Sequence, residues 1–365
     1  MSRNSRRRRF YDRIRRRSKP GASPGTIAPD PAAAPPVIEV IAYGQEQWFE
    51  RQIQNLDELP ALLSTFPVVW VNINGLGDAA TIEKLGTMFH LHRLALEDVV
   101  NVHQRAKVEL YGDHLFIVVR TIENQSPICT EQIGMFLGRK FVITFQERPG
   151  DDWNPVRERL RQQRGRIRTA GADYLAYALI DAVIDSYFPV LDILGEQVEQ
   201  LDEELTQNPR QPIVGRVHEI RQALHVLRRA IWPHREAMAA LTREHHDLIS
   251  AETRIHLRDC YDHTVQIIDL VENDRDLCSD LRDFYLSAVS NRMNEIMKVL
   301  TIITTLLMPL SLIASIYGMN FNTKISPWNM PELEWRFGYP ATLGTMVIIT
   351  LIMVYFFYRR GWFRK

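Results

Sequence analysis

Residues 298–324 read KVLTIITTLLMPLSLIASIYGMNFNTK, and no charged side chain stands between Lys298 and Lys324. Val299–Tyr317 is almost wholly apolar or hydroxylic. A second charge-free stretch lies between Arg336 and Arg359, and its centre, Ala341–Tyr358, is rich in Leu, Ile, Val and Phe. Each run has about the length that crosses a bilayer core, roughly 20 residues. Between them stands a short polar tip, Tyr317-Gly318-Met319-Asn320-Phe321. Two spans joined by such a tip predict a membrane hairpin with a pore mouth. The competing reading is a buried hairpin of a soluble protein.

Outward from the spans, charge predicts orientation. Arg292 and Lys298 precede the first span, and Arg359, Arg360, Arg364 and Lys365 follow the second. In the intervening loop Lys324 and Arg336 are balanced by Glu332 and Glu334. The positive-inside rule places both termini in the cytoplasm of a two-pass protein of the cell membrane. Trp328, Trp335 and Tyr339 on one side, with Tyr358 and Trp362 on the other, are expected interfacial anchors. The whole chain is electrically balanced, with 44 basic and 44 acidic residues, so net charge selects no class of partner. Its distribution is uneven. Ten of the first 19 residues are Lys or Arg, and acids concentrate at 259–283. The Arg-rich start runs into Ser, Pro, Gly and Ala rather than an apolar core, so it is no secretory signal. A disordered tail is expected over 1–36, with an arm on anionic lipid as the alternative. Few aromatics accompany the arginines, so nucleic acid is not an expected partner.

Toward the N-terminus from the first span, no Gly occurs from Arg216 to Tyr317 and no Pro from His234 to Met308. A run without breakers predicts a very long helix. Over 251–317 it reaches roughly 100 Å at 1.5 Å per residue, far beyond the roughly 30 Å of a bilayer core. Most of it is expected to stand in the cytoplasm as a stalk, with about 298–317 in the membrane.

Steps of four and three from Asp262 trace one seam along this helix. It runs Asp262, Gln266, Asp269, Asn273, Asp276, Asp280, Asp283, Ser287, Ser290, Asn294, Met297, Thr301, Thr304, Met308, Ser311, Ser315 and Gly318. In a coiled coil this 3.5-residue repeat is apolar. Here it is carboxylate in the stalk and hydroxyl in the span. An apolar stripe at Ile267, Leu270, Leu277, Leu281 and Phe284 lies about one residue over, roughly 100° around the helix, and is expected to pack neighbours. Polar groups facing lipid are costly, so several copies are expected to turn their seams onto a shared aqueous axis. Met297 and Met308 are the expected constrictions, and Pro309 a possible kink point.

Residues 37–165 predict an α/β domain. Strand candidates are Val37–Ala42, Val68–Ile73, Leu115–Arg120, Gln132–Leu137 and Phe141–Gln146, and Ala79–Phe89 is a helix candidate capped by Asp78. Within 166–250, long helices are expected over 173–206 and 213–247, interrupted at Asn208–Pro212. Residues 318–340 form the outer loop, 341–358 the second span and 359–365 a basic tail. Enzyme motifs are absent from the sequence. It holds no Walker A loop and no G-x-S-x-G elbow, and Gly75-Leu76-Gly77 lacks the third glycine of a dinucleotide fold. Cys129, Cys260 and Cys278 form no C-x-x-C pair. His245-His246 and the pair His256/His263 are metal donors by chemistry but stand on charged helices, where solvated histidines are usual.

The Gly-Met-Asn tip, Met330-Pro331-Glu332-Leu333, Leu96-Glu97-Asp98, Asn101-Val102-His103-Gln104-Arg105, Asp173-Tyr174-Leu175, Ile231-Trp232-Pro233 and Tyr261-Asp262-His263-Thr264 together carry a resemblance. Over roughly 38–365 the chain resembles the CorA family of magnesium and cobalt channels. The resemblance implies an α+β membrane protein, a funnel-shaped homopentamer needing no other protein, with the first span lining the pore. It implies an outer filter at Gly318, Met319 and Asn320, and a hydroxyl position at Ser311. It implies a hydrophobic gate at Met297, Leu300 and Met308, of which Leu300 stands one step off the seam, and inner polar rings at Asn294 and Asp283. Thr304 and Ser315 complete the pore positions. It further implies regulatory Mg²⁺ sites between subunits, with Asp98 facing Asp259 of the next protomer and Glu97 and Asp181 in a second site. Mg²⁺ would be both cargo and regulator, and Co²⁺ and Ni²⁺ further cargo. The alternatives are a proton-coupled zinc transporter of the same superfamily, which the Met-Pro-Glu-Leu loop disfavours, and a non-transporting scaffold with a coiled-coil stalk.

Overall fold

The computed structural model describes residues 21, 23–30, 33–123, 127–148, 150–208, 212–244, 246–322, 324–326 and 328–363. The Arg-rich start, His245, Arg364 and Lys365 lie outside the described residues. In chain order the elements are β1 (Val37–Tyr43), β2 (Trp48–Ile53), α1 (Leu59–Thr65), β3 (Val68–Asn74), α2 (Ala79–Met88), α3 (Arg93–Val100), β4 (Lys107–Tyr111), β5 (His114–Glu123), β6 (Cys129–Leu137) and β7 (Phe141–Gln146). They continue with α4 (Asn154–Arg161), α5 (Ala172–Asp185), α6 (Tyr187–Gln207), α7 (Val214–Arg243), α8 (Ala251–Tyr317) and α9 (Gly338–Arg359).

The seven strands make one sheet in the order β2-β1-β3-β7-β6-β5-β4. Every neighbouring pair is antiparallel except β3 with β7, where Val69 lies opposite Phe141 and Ile73 opposite Phe145. All seven residues of β3 are buried, as a strand covered on both faces must be. One face packs Val69, Val71, Ile143 and Phe145 against Ile82, Leu85, Leu96 and Val99 of α2 and α3. The other carries polar groups that are satisfied internally. Trp70 Nε1 donates to Thr144 Oγ1 at 3.0 Å, and Thr144 Oγ1 and Gln146 Nε2 donate to Asn72 Oδ1 at 2.7 and 2.8 Å.

The five expected strands and the α2 helix are present, and Asp78 caps α2 by accepting from Ala80 N and Thr81 N. Two strands, β2 and β4, were not expected. They are the two edges of the sheet, and edge strands carry charge rather than alternating hydrophobics. The short helices α1, α3 and α4 were also not expected. Gly75 and Gly77 have a structural task. Gly77 N donates to Ala34 O at 2.9 Å. A Cβ at Gly77 would lie 2.5 Å from Ala33 O, and one at Gly75 would lie 2.6 Å from Pro35 O. The chain entering β1 therefore lies flush against this turn.

The expected helix over 173–206 is two helices broken at Ser186. Pro189 stands in the first turn of α6, where its missing N–H costs nothing. The run free of Gly and Pro also breaks, at Glu244–Ser250. Glu244 is extended (φ −78°, ψ 137°), and Ser250 Oγ accepts from Thr253 N at 3.2 Å to start α8. A local cap thus restarts the chain where no breaker residue stands. α8 then runs unbroken for 67 residues, through Pro309. α8 and α9 both contain stretches long and apolar enough to cross a membrane.

Among the described residues, those up to Glu203 and from Ile213 to Leu281 pack as one compact unit. Glu204–Pro212 and the chain from Arg282 onward cluster as a second.

Candidate functional site

The first candidate is the polar seam of α8. All seventeen positions from Asp262 to Gly318 are exposed. Within the first unit the opposite face of the helix is buried, through Thr253, Leu257, Cys260, Thr264, Ile267, Val271, Asp274, Cys278 and Leu281. These positions also advance by alternating fours and threes. From Cys260 onward each lies two residues from a seam position, about 200° around the helix. This buried face packs within the subunit, whereas the apolar stripe read from the sequence is expected to pack neighbouring copies. Ile267 and Leu281 belong to the buried face, but Leu270, Leu277 and Phe284 are exposed.

In the apolar half, Met297, Leu300 and Met308 are all exposed. Thr301 Oγ1 donates to Met297 O at 2.7 Å and Thr304 Oγ1 to Leu300 O at 2.9 Å. Each hydroxyl thus spends its proton on its own helix and keeps lone pairs outward, an arrangement suited to an apolar span. Ser311 and Ser315 are exposed on the same line, as are Asn294 and Asp283, whose carboxylate lies 2.9 Å from Arg282 Nη2. Pro309 has no N–H for the carbonyl of Thr305, so one rung of the helix ladder is missing there. Gly318 N closes the last turn on Ala314 O at 3.0 Å, and Gly318, Met319 and Asn320 are exposed beyond it.

The second candidate is a cluster of donors within the first unit. Asp181 and Asp185 stand one helical turn apart on α5. With His263 of α8 they place one ligand atom each within 4.8 Å of one another. His263 Nδ1 is 3.4 Å from Asp185 Oδ1, and its Nε2 is 4.0 Å from Asp259 Oδ2. Burial and the charge of Asp185 hold the Asp181 carboxyl above the usual carboxylate range. Cys260 Sγ donates to Asp181 Oδ1 at 3.4 Å, and burial, then Asp181, push that thiol well up. Two carboxylates and an imidazole form a donor set for a divalent ion, and a cation here would relieve the repulsion between the aspartates.

Of the expected metal residues, Asp181 and Asp259 thus meet at His263. Asp185 was not singled out from the sequence, and His263 was weighed as a donor but read as solvated, although Asp181/Asp185 and Asp259/His263 are both four apart, the spacing that puts two donors on one helix face. Glu97 and Asp98, on α3, are not members of this group. Glu97 Oε2 accepts from Gly25 N at 2.7 Å. Asp98 accepts from Gln104 Nε2 at 2.8 Å and pairs with Lys107 at 2.7 Å. His256 packs between aromatic rings, stacked on Tyr177 with centroids 5.0 Å apart.

Known proteins resemble this chain over most of its length. Residues 67–359 match the model of the family described as CorA-like Mg2+ transporter protein. The chain is 43% identical to the cobalt/magnesium transport protein CorA of Thermotoga maritima over 328 residues, 89% of this chain and 92% of that one. It is 36% identical to the putative metal ion transporter YfjQ of Bacillus subtilis, over 80% of this chain and 89% of that one. The solved structure of the CorA magnesium transporter from Methanocaldococcus jannaschii superposes with a TM-score of 0.73 at 21% identity, covering 90% of this chain and 98% of that one. These relatives are transport proteins rather than enzymes. With most of its length matched at this identity, and with the two apolar helices and the Gly-Met-Asn tip in place, the chain belongs to the CorA-like Mg2+ transporter family.

Proposed function

We propose that this chain is one subunit of a homopentameric channel of the cell membrane that admits Mg²⁺, with Co²⁺ and Ni²⁺ as further cargo, and closes when intracellular Mg²⁺ rises. The observation that carries this reading is the seam from Asp262 to Gly318, exposed at every step in the single subunit. Copies around an axis in lipid give those groups water and one another. Rings of Asp269, Asp276, Asp280 and Asp283 raise the local cation concentration at the inner end. Hydroxyls of Thr304, Ser311 and Ser315 hold the water shell of an ion that dehydrates reluctantly. Met297, Leu300 and Met308 gate by dewetting, and Gly318 carbonyls with Asn320 side chains form the outer filter. Both termini are cytoplasmic, so inward movement of a divalent ion gains about 4.6 kcal/mol per 100 mV, twice the single-charge value.

Closure uses carboxylates at subunit boundaries. Asp98 meets the partner subunit's Asp259 across one Mg²⁺, and Glu97 with Asp181 holds a second, joined by Asp185 and His263. The imidazole supports a second reading, a proton-coupled zinc transporter, since nitrogen donors suit zinc better than magnesium.

Flux into proteoliposomes under an inside-negative potential tests the proposal. Mg²⁺ entry that is large at low Mg²⁺ on the cytoplasmic face and suppressed at high is the expected outcome. No Mg²⁺ entry, with zinc moving under a proton gradient, favours the second reading, and no metal flux at all leaves a scaffold. Asp259→Lys is expected to conduct but to close several-fold less readily with internal Mg²⁺. An unchanged response removes Asp259 from sensing.

A further inference from the structure

Both oxygens of the Asp98 carboxylate are already engaged inside the subunit. Oδ1 accepts from Gln104 Nε2 at 2.8 Å, and Oδ2 lies 2.7 Å from the Lys107 ammonium. The same ammonium is 2.7 Å from Glu109 Oε2. One cation is therefore shared between two carboxylates. The three side chains are partly shielded, at 27%, 22% and 38% exposure for Lys107, Asp98 and Glu109, so their charges are screened less than those of a surface pair.

The surroundings keep this arrangement in register. Gln104 N donates to Gln132 Oε1 at 2.8 Å, and Gln132 Nε2 donates to Asp98 O at 2.8 Å. The turn from α3 into β4 is thus tied to β6, and Lys107 enters the sheet opposite Val118. Its ammonium sits 5.8 Å from the Phe116 ring centre. Glu109, two residues on and on the same side of β4, is held by Tyr111 Oη at 3.0 Å. An ion arriving at Asp98 must displace the ammonium. Glu109 already pairs with that ammonium at 2.7 Å, so its release from Asp98 strands no charge in a half-buried site.

We propose that Lys107 is a tethered competitor for the divalent ion at Asp98, parked on Glu109 when the ion is bound, and that this competition sets the internal Mg²⁺ concentration at which the channel closes. The inference rests on the assignment of Asp98 to sensing made above. It gives Lys107 and Glu109 opposite effects, which a merely structural ion pair does not.

The test measures closure of the full-length protein in proteoliposomes as internal Mg²⁺ is raised, with thermal melting run alongside. Lys107→Met is expected to close at about tenfold less Mg²⁺, the scale of removing one charge at such a distance. Lys107→Arg keeps the charge and is expected to close near the wild-type concentration. Glu109→Gln removes the parking position and is expected to need several-fold more Mg²⁺. Wild-type closure in both Lys107→Met and Glu109→Gln, or shifts in the same direction, overturns the proposal. If Lys107→Met melts early, Glu109→Gln decides alone. Asp98→Asn separates the two layers. A variant that closes normally overturns the sensing role of Asp98 itself, whereas a lost Mg²⁺ response with wild-type behaviour at Lys107 and Glu109 overturns only the competitor.

Discussion

Two stripes run along α8 with the same 3.5-residue repeat, and they end differently. One, from Thr253 to Leu281, is buried at each step, although it includes two threonines, two cysteines and Asp274. The other, from Asp262 to Gly318, is exposed at each step, although it includes Met297 and Met308. Hydropathy alone does not sort them. The buried stripe is decided by what the same subunit packs against it, and its polar members are satisfied locally, as where Thr264 Oγ1 donates to Cys260 O at 2.8 Å. Among the described residues the exposed stripe has no such occupant, and its chemistry changes from carboxylate to hydroxyl as the helix becomes apolar. A stripe that stays polar into an apolar span is the feature on which the proposed shared aqueous axis rests.

The comparison breaks most visibly at the far end of the seam. Asn320→Ala is expected to reduce Mg²⁺ flux to background while melting and assembly stay unchanged, and wild-type flux would remove Asn320 from the ion path. A paired exchange two residues apart tests the two faces directly. Leu281→Asp puts a carboxylate into the buried stripe and is expected to cost about 4 kcal/mol in denaturant unfolding of the first unit. Asp283→Leu, on the seam, is expected to leave unfolding unchanged and to lower conductance several-fold. Equal destabilisation by both erases the distinction between the faces.

The smallest expected effect sharpens the buried side. Burial and then Glu199 hold the Asp274 carboxyl above its ordinary value, so ionising it opposes folding. That cost is present once the pH exceeds the raised folded-state value and absent below the ordinary aspartate range. Asp274→Asn is therefore expected to raise the melting temperature by roughly 1–2 °C at neutral pH, with the gain gone near about pH 3.5. A gain that persists in acid assigns the effect to packing instead.

Legibility followed where the driving force acts. The central strands, both membrane-length helices and the seam are written as long runs of one character, and periodicity reads them. The edge strands Trp48–Ile53 and Lys107–Tyr111 are mixed in polarity because one side of each backbone is unpaired, and they went unseen. The boundary between helices over 213–247 and 251–317 was legible to within a few residues of its place, although a serine cap leaves no Gly or Pro behind. Among the metal residues, Asp181 and Asp259 came through the family resemblance. His263 was named from the sequence only as a donor by chemistry, and its grouping with Asp181 and Asp185 became visible only when α5 and α8 packed side by side, because a donor set drawn from residues about eighty apart has no local signature. The pairing of Asp98 with Lys107 was hidden for the same reason on a shorter scale.

The lone parallel pair, β3 with β7, has a consequence in time. Val69 cannot meet Phe141 until some seventy further residues have been made, so the middle of the sheet is its last part to close, and pairings across such separations are slow. The chain order leaves room for this delay. At about 5–20 residues per second, synthesis from Gln146 to Val299 takes roughly 8–30 s, while sheet-rich domains fold in milliseconds to seconds. The sheet therefore has its window before the first apolar span is made.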